Sequence, residues 1–147
     1  MRENLERNFG FLVNDVARLL RTTFDRRVRA LDLTRSQWWV LNHLFRQDGV
    51  TQSDLAEILD IEKATLSRLL DRMEAKNLVR RQTDQHDRRA KRIYLTAEVE
   101  PSVQAMRTIA AEMRRDALSG LSRQDREQFV DLLITVKENL VRLNENG

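Results

Sequence analysis

Basic side chains are concentrated in one stretch of this chain, residues 62–92. That stretch holds ten basic and five acidic residues, a net charge of +5, whereas the other positions hold 16 basic and 18 acidic residues, a net charge of −2. Cationic groups neutralise phosphates, and a guanidinium can also donate two hydrogen bonds to a base edge. The local charge therefore indicates a nucleic-acid surface more strongly than the overall net charge of +3 does.

Two short helices are expected to present the first of these cations. Thr51 can cap one helix, which breaks at Asp60 and Ile61, and a second begins at about Glu62. The apolar positions of the second helix fall on one face: Leu66, Leu69, Leu70 and Met73. The other face carries polar and basic residues: Lys63, Thr65, Ser67, Arg68 and Arg72.

Two helices joined by a tight turn, with cations on the second, fit a helix into the major groove of DNA. We expect four side chains to reach base edges: Lys63, Thr65, Ser67 and Arg68. We expect Arg72 to contact a phosphate. The alternative is a pair of amphipathic helices in an ordinary bundle.

A cationic hairpin is predicted directly after the second helix. Asn77 is expected to stop the helix in a left-handed conformation, and two strand-like runs flank the polar loop DQHDRRA. Residues 80–92 hold six basic and two acidic side chains. We expect Arg81 to contact phosphate, Arg88 and Arg89 to enter the minor groove, and Asp87 to hold a hairpin arginine by an ion pair. The alternative is a solvated, charge-rich loop.

The run KNLVRRQTDQHDRRAKRIYLT, from Lys76 to Thr96, resembles the MarR family of winged-helix regulators, and its SlyA-like branch most closely. The segments LDLTRSQWWVL at 31–41, Ile61 to Arg68 and AEVEP after the hairpin share the resemblance. Many family members carry Arg where this chain has His86, which leaves Arg88 and Arg89 as the expected minor-groove cations.

The resemblance implies a homodimer on double-stranded DNA, built through the N- and C-terminal helices. It also implies a pocket for a small aromatic carboxylate. The matching positions in this chain are Arg18, Arg21, Trp38, Asn42 and His43. An Arg can pair with a carboxylate while an indole stacks on a ring. The alternative places Trp38 and Trp39 in a core or interface, and Arg18 and Arg21 in contacts between subunits.

The N-terminal part is predicted to hold a long helix. Apolar residues recur at helical spacing from Phe9 to Leu31. Thr34 and Gln37 resemble a capping box that starts a helix ending before Gly49. Val50 is expected to add a short third strand to the hairpin.

The C-terminal part is predicted to hold two more long helices. Thr96 is an expected cap, and Pro101 predicts either a kink or a restarted helix. Gly120 ends that helix and Ser122 begins the last one. Both helices carry heptad-like apolar seams, which favour pairing with a second copy, with packing inside one subunit as the alternative.

These patterns predict a mainly α (α+β) chain: a winged helix-turn-helix with long N- and C-terminal dimerisation helices. The predicted divisions are an N-terminal dimerisation helix at 1–33, the DNA-binding domain at 34–96 and C-terminal dimerisation helices at 97–147. We expect a homodimeric, sequence-specific regulator on pseudo-palindromic promoter sites, released by a small aromatic acid. The alternatives are a protein-interaction module with a solvated hairpin and an architectural DNA coater.

Catalysis is not expected from this sequence. It holds no cysteine, and its two histidines, His43 and His86, lack the neighbouring ligands that metal sites require. We therefore predict no enzyme, no metal and no cofactor. The first 30 residues lack the continuous apolar stretch of a signal peptide or membrane span, so we expect a cytoplasmic protein without membrane contact.

Overall fold

The computed structural model describes residues 4–147, and the first three positions of the predicted N-terminal segment lie outside them. The described chain is mainly helical, with one small antiparallel sheet. Its elements are α1 (Phe9–Val28), α2 (Arg35–Arg46), α3 (Gln52–Leu59), α4 (Lys63–Ala75), β1 (Val79–Thr83), β2 (Lys91–Leu95), α5 (Glu100–Ala117) and α6 (Arg123–Glu145). This order confirms the predicted winged helix-turn-helix class.

The predicted caps begin helices α2 and α3. The Thr34 hydroxyl accepts the Gln37 N–H while the Gln37 side chain accepts the Thr34 N–H, each at 3.2 Å, which completes the capping box. The Thr51 hydroxyl accepts the Asp54 N–H at 3.1 Å. Each bond satisfies a backbone donor that the first helical turn leaves without a partner, so local sequence fixes these starting points.

The predicted helix ends of the winged module are also confirmed. Asp60 ends α3 in the left-handed region with φ 53°, and its N–H returns to the last turn of the helix. Asn77 follows α4 with φ 58°. Short Asx side chains tolerate this conformation better than other non-glycine residues. The two turns set the directions of α4 and of the following hairpin.

The hairpin, which we call the wing (residues 79–95), pairs β1 with β2 from Val79 opposite Leu95 to Thr83 opposite Lys91. The prediction of a third strand at Val50 was wrong. The structure has one isolated bridge there, between Thr51 and Arg92. Gly49 lies beside it with φ +76°, and a Cβ at this position would lie 2.8 Å from the Tyr94 ring. The bridge and this close approach fix the wing to the segment before α3.

An apolar core holds α2, α3, α4 and the wing together. Large side chains from all four parts are fully buried: Leu41, Leu44, Leu55, Leu66, Leu70, Met73 and Ile93. Phe24 and Val28 from the end of α1 are buried, as are Val103 and Met106 from the first part of α5. Close packing on all sides of α4 except its polar face makes this helix a rigid support.

Two predictions for the start of α5 had different outcomes. Thr96 precedes the 3-10 turn Ala97–Val99, but its hydroxyl does not cap it and donates instead to the Asn77 carbonyl, so the predicted cap was wrong. Pro101 lies in the first turn of α5, where a missing N–H costs no helical hydrogen bond. The predicted restart of the helix near Pro101 is confirmed.

The chain divides into two compact units, one reaching to Ala110 and the other covering Ala111–Gly147. In the second unit, the Ser122 hydroxyl accepts the Asp125 N–H at 3.1 Å and caps α6, as predicted. None of the residues of α6 is buried in the single chain. Among residues 4–147, no helix has the length and apolar character needed to cross a membrane.

Candidate nucleic-acid interface

Helix α4 presents a polar face because its apolar face is used by the core. Arg68 lies two residues from both Leu66 and Leu70, about 160 to 200° around the helix from each, and it is exposed. Thr65 and Arg72, at spacings of three and four from Arg68, share its flank and are also exposed. The predicted base-reading surface is therefore accessible along the helix.

The other flank of α4 faces the wing across a concave surface, which we call the helix–wing cleft. This cleft has a volume of about 260 Å³ and is lined by Gln52, Ser53, Lys63, Ser67, Arg81, Arg89, Ala90 and Lys91. Four of the predicted DNA-binding residues thus meet at one surface although they lie up to 26 positions apart. A second group of them, Thr65, Arg68, Arg72 and Arg88, does not line the cleft.

Arg81 has a role that the sequence did not predict. Its side chain is only 15% exposed and pairs with the carboxylates of Asp71 and Glu74 on α4. The backbone N–H of Arg81 also donates to Glu74, at 3.2 Å. The hydrogen bond from Arg81 lowers the pKa of the Glu74 carboxyl. We call this group the helix brace, because it joins β1 to α4. The phosphate contact of Arg81 stays a prediction.

A second ionic group, which the sequence did not indicate, holds β2. Arg92 pairs through Nε with the buried carboxylate of Asp84, and its Nη1 donates to the Gly49 carbonyl at 2.7 Å. The Asp84 Oδ1 atom accepts the N–H groups of His86 at 2.7 Å and Asp87 at 3.0 Å. These backbone donors and Arg92 together lower the pKa of Asp84 to about 2. We call this group the wing latch.

The wing tip, residues 84–90, carries the predicted minor-groove cations. Arg88 and Arg89 are both exposed, and the side chain of Arg89 is 94% accessible. Asp87 accepts the Arg89 N–H at 3.0 Å and pairs with its guanidinium at 3.5 Å, as the predicted ion pair requires. Asp87 is largely exposed, whereas Asp84 is the buried carboxylate of the wing. The role of Asp84 could have been predicted from its place as a polar residue at the first position of a tight turn.

In the part of the chain that the structure describes, residues 4–147, the predicted ligand residues lie in different surroundings. Trp38 is 6% exposed, meets Phe24 edge to face at 4.6 Å and donates through Nε1 to Asp25 at 3.4 Å. This indole is a core residue, which was the alternative that the sequence left open. Arg18 and Arg21 lie on the exposed surface of α1, where Arg18 pairs with Asp15 at 3.6 Å.

Asn42 and His43 line two different cavities. Asn42 borders one of about 110 Å³ lined by Phe24, Leu41, Asn42, Phe45, Val103, Met106, Arg107 and Ala110. His43 borders one of about 290 Å³ lined by His43, Arg46, Gln47, Val50, Leu55 and Ile58. Burial lowers the pKa of His43, and Arg46 lowers it further, so a neutral imidazole is favoured there. Within residues 4–147, no three potential metal-binding side chains are grouped as a metal site requires.

Comparisons with known proteins point to one family. The family model described as MarR family matches residues 31–90, which run from the start of the winged module to the wing tip. The solved structure of the transcriptional regulator PA3341 is 38% identical over 92% of this chain and 99% of that chain, with a TM-score of 0.78.

Two further structures are similar over nearly the whole chain. The MepR–DNA complex of S. aureus is 30% identical over 90% of this chain and 98% of that chain, with a TM-score of 0.71. The transcriptional regulator SlyA is 26% identical over 87% of this chain and 90% of that chain, with a TM-score of 0.72. On the family match, the long 38% identical alignment and the observed wing and helices, this chain belongs to the MarR family of winged helix-turn-helix transcriptional regulators.

Proposed function

We propose that this chain acts in the cytoplasm as a homodimeric regulator that binds double-stranded DNA at pseudo-palindromic promoter sites. The observation that carries the proposal is the helix–wing cleft, where Lys63 and Ser67 from α4 meet Arg89 and Lys91 from the wing. A helix in the major groove and a wing in the neighbouring minor groove straddle one phosphate strand, and cations between them would neutralise it. The MepR relative was solved with DNA.

The exposed polar residues of α4 and of the wing tip have separate roles in this proposal. Arg68 and Thr65 read base edges, because they lie on the side of α4 away from its buried face. Arg72 contacts a phosphate on the same flank. Arg88 and Arg89 enter the minor groove from the wing tip, where narrow A·T-rich grooves attract guanidinium groups.

The homodimer is proposed from two exposed apolar surfaces, each considered by itself. In α1, apolar residues at helical spacing are open to solvent in the single chain: Phe9, Leu12, Val13, Val16, Leu19 and Leu20. In α6, a second set is open: Phe129, Val130, Leu133, Leu140 and Val141. Contiguous apolar surface of this kind marks an interaction site. Pairing of these surfaces across a two-fold axis would present two α4 helices to DNA half-sites about 34 to 36 Å apart.

A small aromatic carboxylate is proposed as the effector that releases DNA. The cavity beside Asn42 supports this, since it is bordered by Phe24 and Phe45 and by Arg107, whose guanidinium lies 5.1 Å from the Phe45 ring centroid. An aromatic wall with one cation suits a ring bearing a carboxylate. Trp38 packs on Phe24, so its fluorescence would report occupancy.

The effector is tested by titrating a phenolic carboxylate while following tryptophan fluorescence and DNA affinity. Arg107→Gln should abolish both responses, whereas Arg21→Gln, on the exposed surface of α1, should leave them intact. The reverse outcome would return the carboxylate to the residues predicted from the sequence. No response in the unmodified chain would remove the effector from the proposal.

DNA binding itself is tested by selecting sites from random duplexes with the full chain. We expect an inverted repeat, and we expect log affinity to fall linearly with log salt with a slope of about −0.9 per phosphate neutralised. Salt-dependent binding without a preferred site would favour the architectural coater. Little salt dependence would favour the protein-interaction module.

A further inference from the structure

Within residues 4–147, Arg92 is the one wing arginine whose guanidinium donates to a backbone carbonyl in the segment before α3, that of Gly49. Its Nη1 donates to the Gly49 carbonyl at 2.7 Å while its Nε pairs with Asp84. Asp84 in turn accepts the N–H groups of His86 and Asp87. One guanidinium thus ties the first turn of the wing tip to the start of the helix-turn-helix.

The position of Arg92 differs from that of its neighbour Lys91. Successive side chains of a strand point to opposite faces, and Lys91 is the one that lines the helix–wing cleft. Arg92 is half-buried and its donors are directed at protein oxygens. A cation count would assign both residues to DNA, whereas the geometry separates them.

We propose that Arg92 is a positioning residue, which fixes the wing tip in the shape that places Arg88 and Arg89 for the minor groove and does not itself contact DNA. The part of this inference that is tested by DNA binding rests on the proposed function. Its physical basis is preorganisation: a tip that is already ordered loses less conformational entropy when it binds. The backbone N–H groups of His86 and Asp87 are the part of the tip that the latch holds directly.

A double-mutant cycle tests this role with the full chain on its selected site. Arg92→Gln should weaken specific binding by about tenfold, a coupling typical of residues that share a network. In a chain carrying Arg88→Ala and Arg89→Ala, the same change should add less than about a twofold loss, since the groups that it positions are gone. Equal losses in both backgrounds would mean a separate phosphate contact and would overturn the proposal.

Two matched variants sharpen the cycle. Lys91→Gln removes a neighbouring cation outside the latch, and its loss should be the same in both backgrounds. Arg92→Lys keeps the charge but cannot span two acceptors with one planar group, so it should behave like Arg92→Gln. Full rescue by lysine would show that charge alone matters and would overturn the positioning role.

Amide hydrogen exchange of the DNA-free chain gives a readout independent of the proposed function. Arg92→Gln should speed exchange at His86 and Asp87 while leaving the amides of α4 unchanged, which also shows that the variant is folded. Unchanged exchange at the tip would overturn the latch. Failure of the unmodified chain to bind DNA would instead overturn the proposed function, and the exchange result would still decide the latch.

Discussion

The winged module and helix α6 carry apolar residues at the same helical spacing, but these residues are buried in the module and exposed on α6. In α4, Leu66, Leu70 and Met73 are fully buried within the subunit. In α6, Leu133 and Leu140 are 41% and 51% exposed, and none of the helix is buried in the single chain. The module is thus stabilised by its own core, whereas α6 displays an apolar surface that a second chain would cover in the proposed homodimer.

Helix α1 contains both situations along its length. Phe24 and Val28 at its end are buried, whereas Phe9, Val13 and Val16 in its first half are exposed. Apolar residues recur at helical spacing along the whole of α1, so the pattern indicates that one face will be buried but not whether its own subunit or a second chain buries it. Burial inside the subunit stabilises the single chain, whereas burial by a second chain gives a stability that depends on protein concentration.

The largest expected effect is in the core of the winged module. Leu70→Ala should lower the free energy of unfolding by about 2 to 5 kcal/mol, because it leaves a cavity in a close-packed interior. The loss should be the same at low and high protein concentration in chemical denaturation. A concentration-dependent loss would mean that the module also relies on a second chain, which would remove the contrast with α6.

A smaller effect is expected for the apolar face of α6. Leu140→Ala should weaken the proposed dimer by about 1.5 to 3 kcal/mol for each leucine side chain that the interface buries. Sedimentation equilibrium measures the dissociation constant directly. Leu140→Met, which keeps the apolar volume, is the control and should change it little. An unchanged constant for Leu140→Ala would place the interface elsewhere.

Arg68→Ala should affect DNA recognition while leaving both kinds of stability intact. Loss of the base-edge contact proposed for Arg68 should lower specific affinity by about 1 to 3 kcal/mol and broaden sequence preference. Binding isotherms on the selected site and on a random duplex, at one salt concentration, measure it. An equal loss on both duplexes would reassign Arg68 to a phosphate.

The smallest effect concerns the polar end of the winged module, where hydrogen bonds replace apolar burial. The pKa of Asp84 is lowered from 3.8 to about 2, so ionised Asp84 stabilises the folded tip above about pH 4. That stabilisation should be lost as the pH falls from about 4 towards 2. Amide proton shifts of His86 and Asp87, followed by NMR, should titrate near pH 2.

Asp84→Asn is the matched control for this titration, since it keeps an oxygen that can accept both N–H groups but has no proton to gain in this range. In this variant, the amide shifts of His86 and Asp87 should lack the transition near pH 2. A midpoint near 3.8 in the unmodified chain would mean that the carboxylate is not engaged as the structure shows.

Local features of this chain were predictable because neighbouring residues decide them. Capping by Thr34, Thr51 and Ser122 needs only an acceptor three residues before a free N–H, and the turns at Asp60 and Asn77 need only a side chain that tolerates positive φ. Thr96 shows the limit of such reasoning. Its hydroxyl had a second acceptor, the Asn77 carbonyl, 19 positions away.

The location of the candidate site was predictable, but the roles of its individual residues were not. Charge density marked α4 and the wing, and the helix–wing cleft gathers Lys63, Ser67 and Arg89 as expected of one surface. For Trp38, the resemblance implied a ligand pocket and left a core position as the alternative, and its contacts with Phe24 and Asp25 favour the core position. Those contacts join α1 to α2 and depend on how the two helices pack.

By itself, the sequence determined which segments are helices, where the wing turns and where positive charge accumulates, since propensity, capping and charge are properties of adjacent residues. Only the tertiary structure decided which arginine side chains are half-buried against protein carboxylates and which project from the wing tip into solvent. Arg81 and Arg92 carry the same charge as Arg88 and Arg89, but Arg81 pairs with Asp71 and Glu74, and Arg92 pairs with Asp84. A guanidinium is committed by the acceptors that folding brings within reach, and those acceptors lie seven to 43 positions away along the chain.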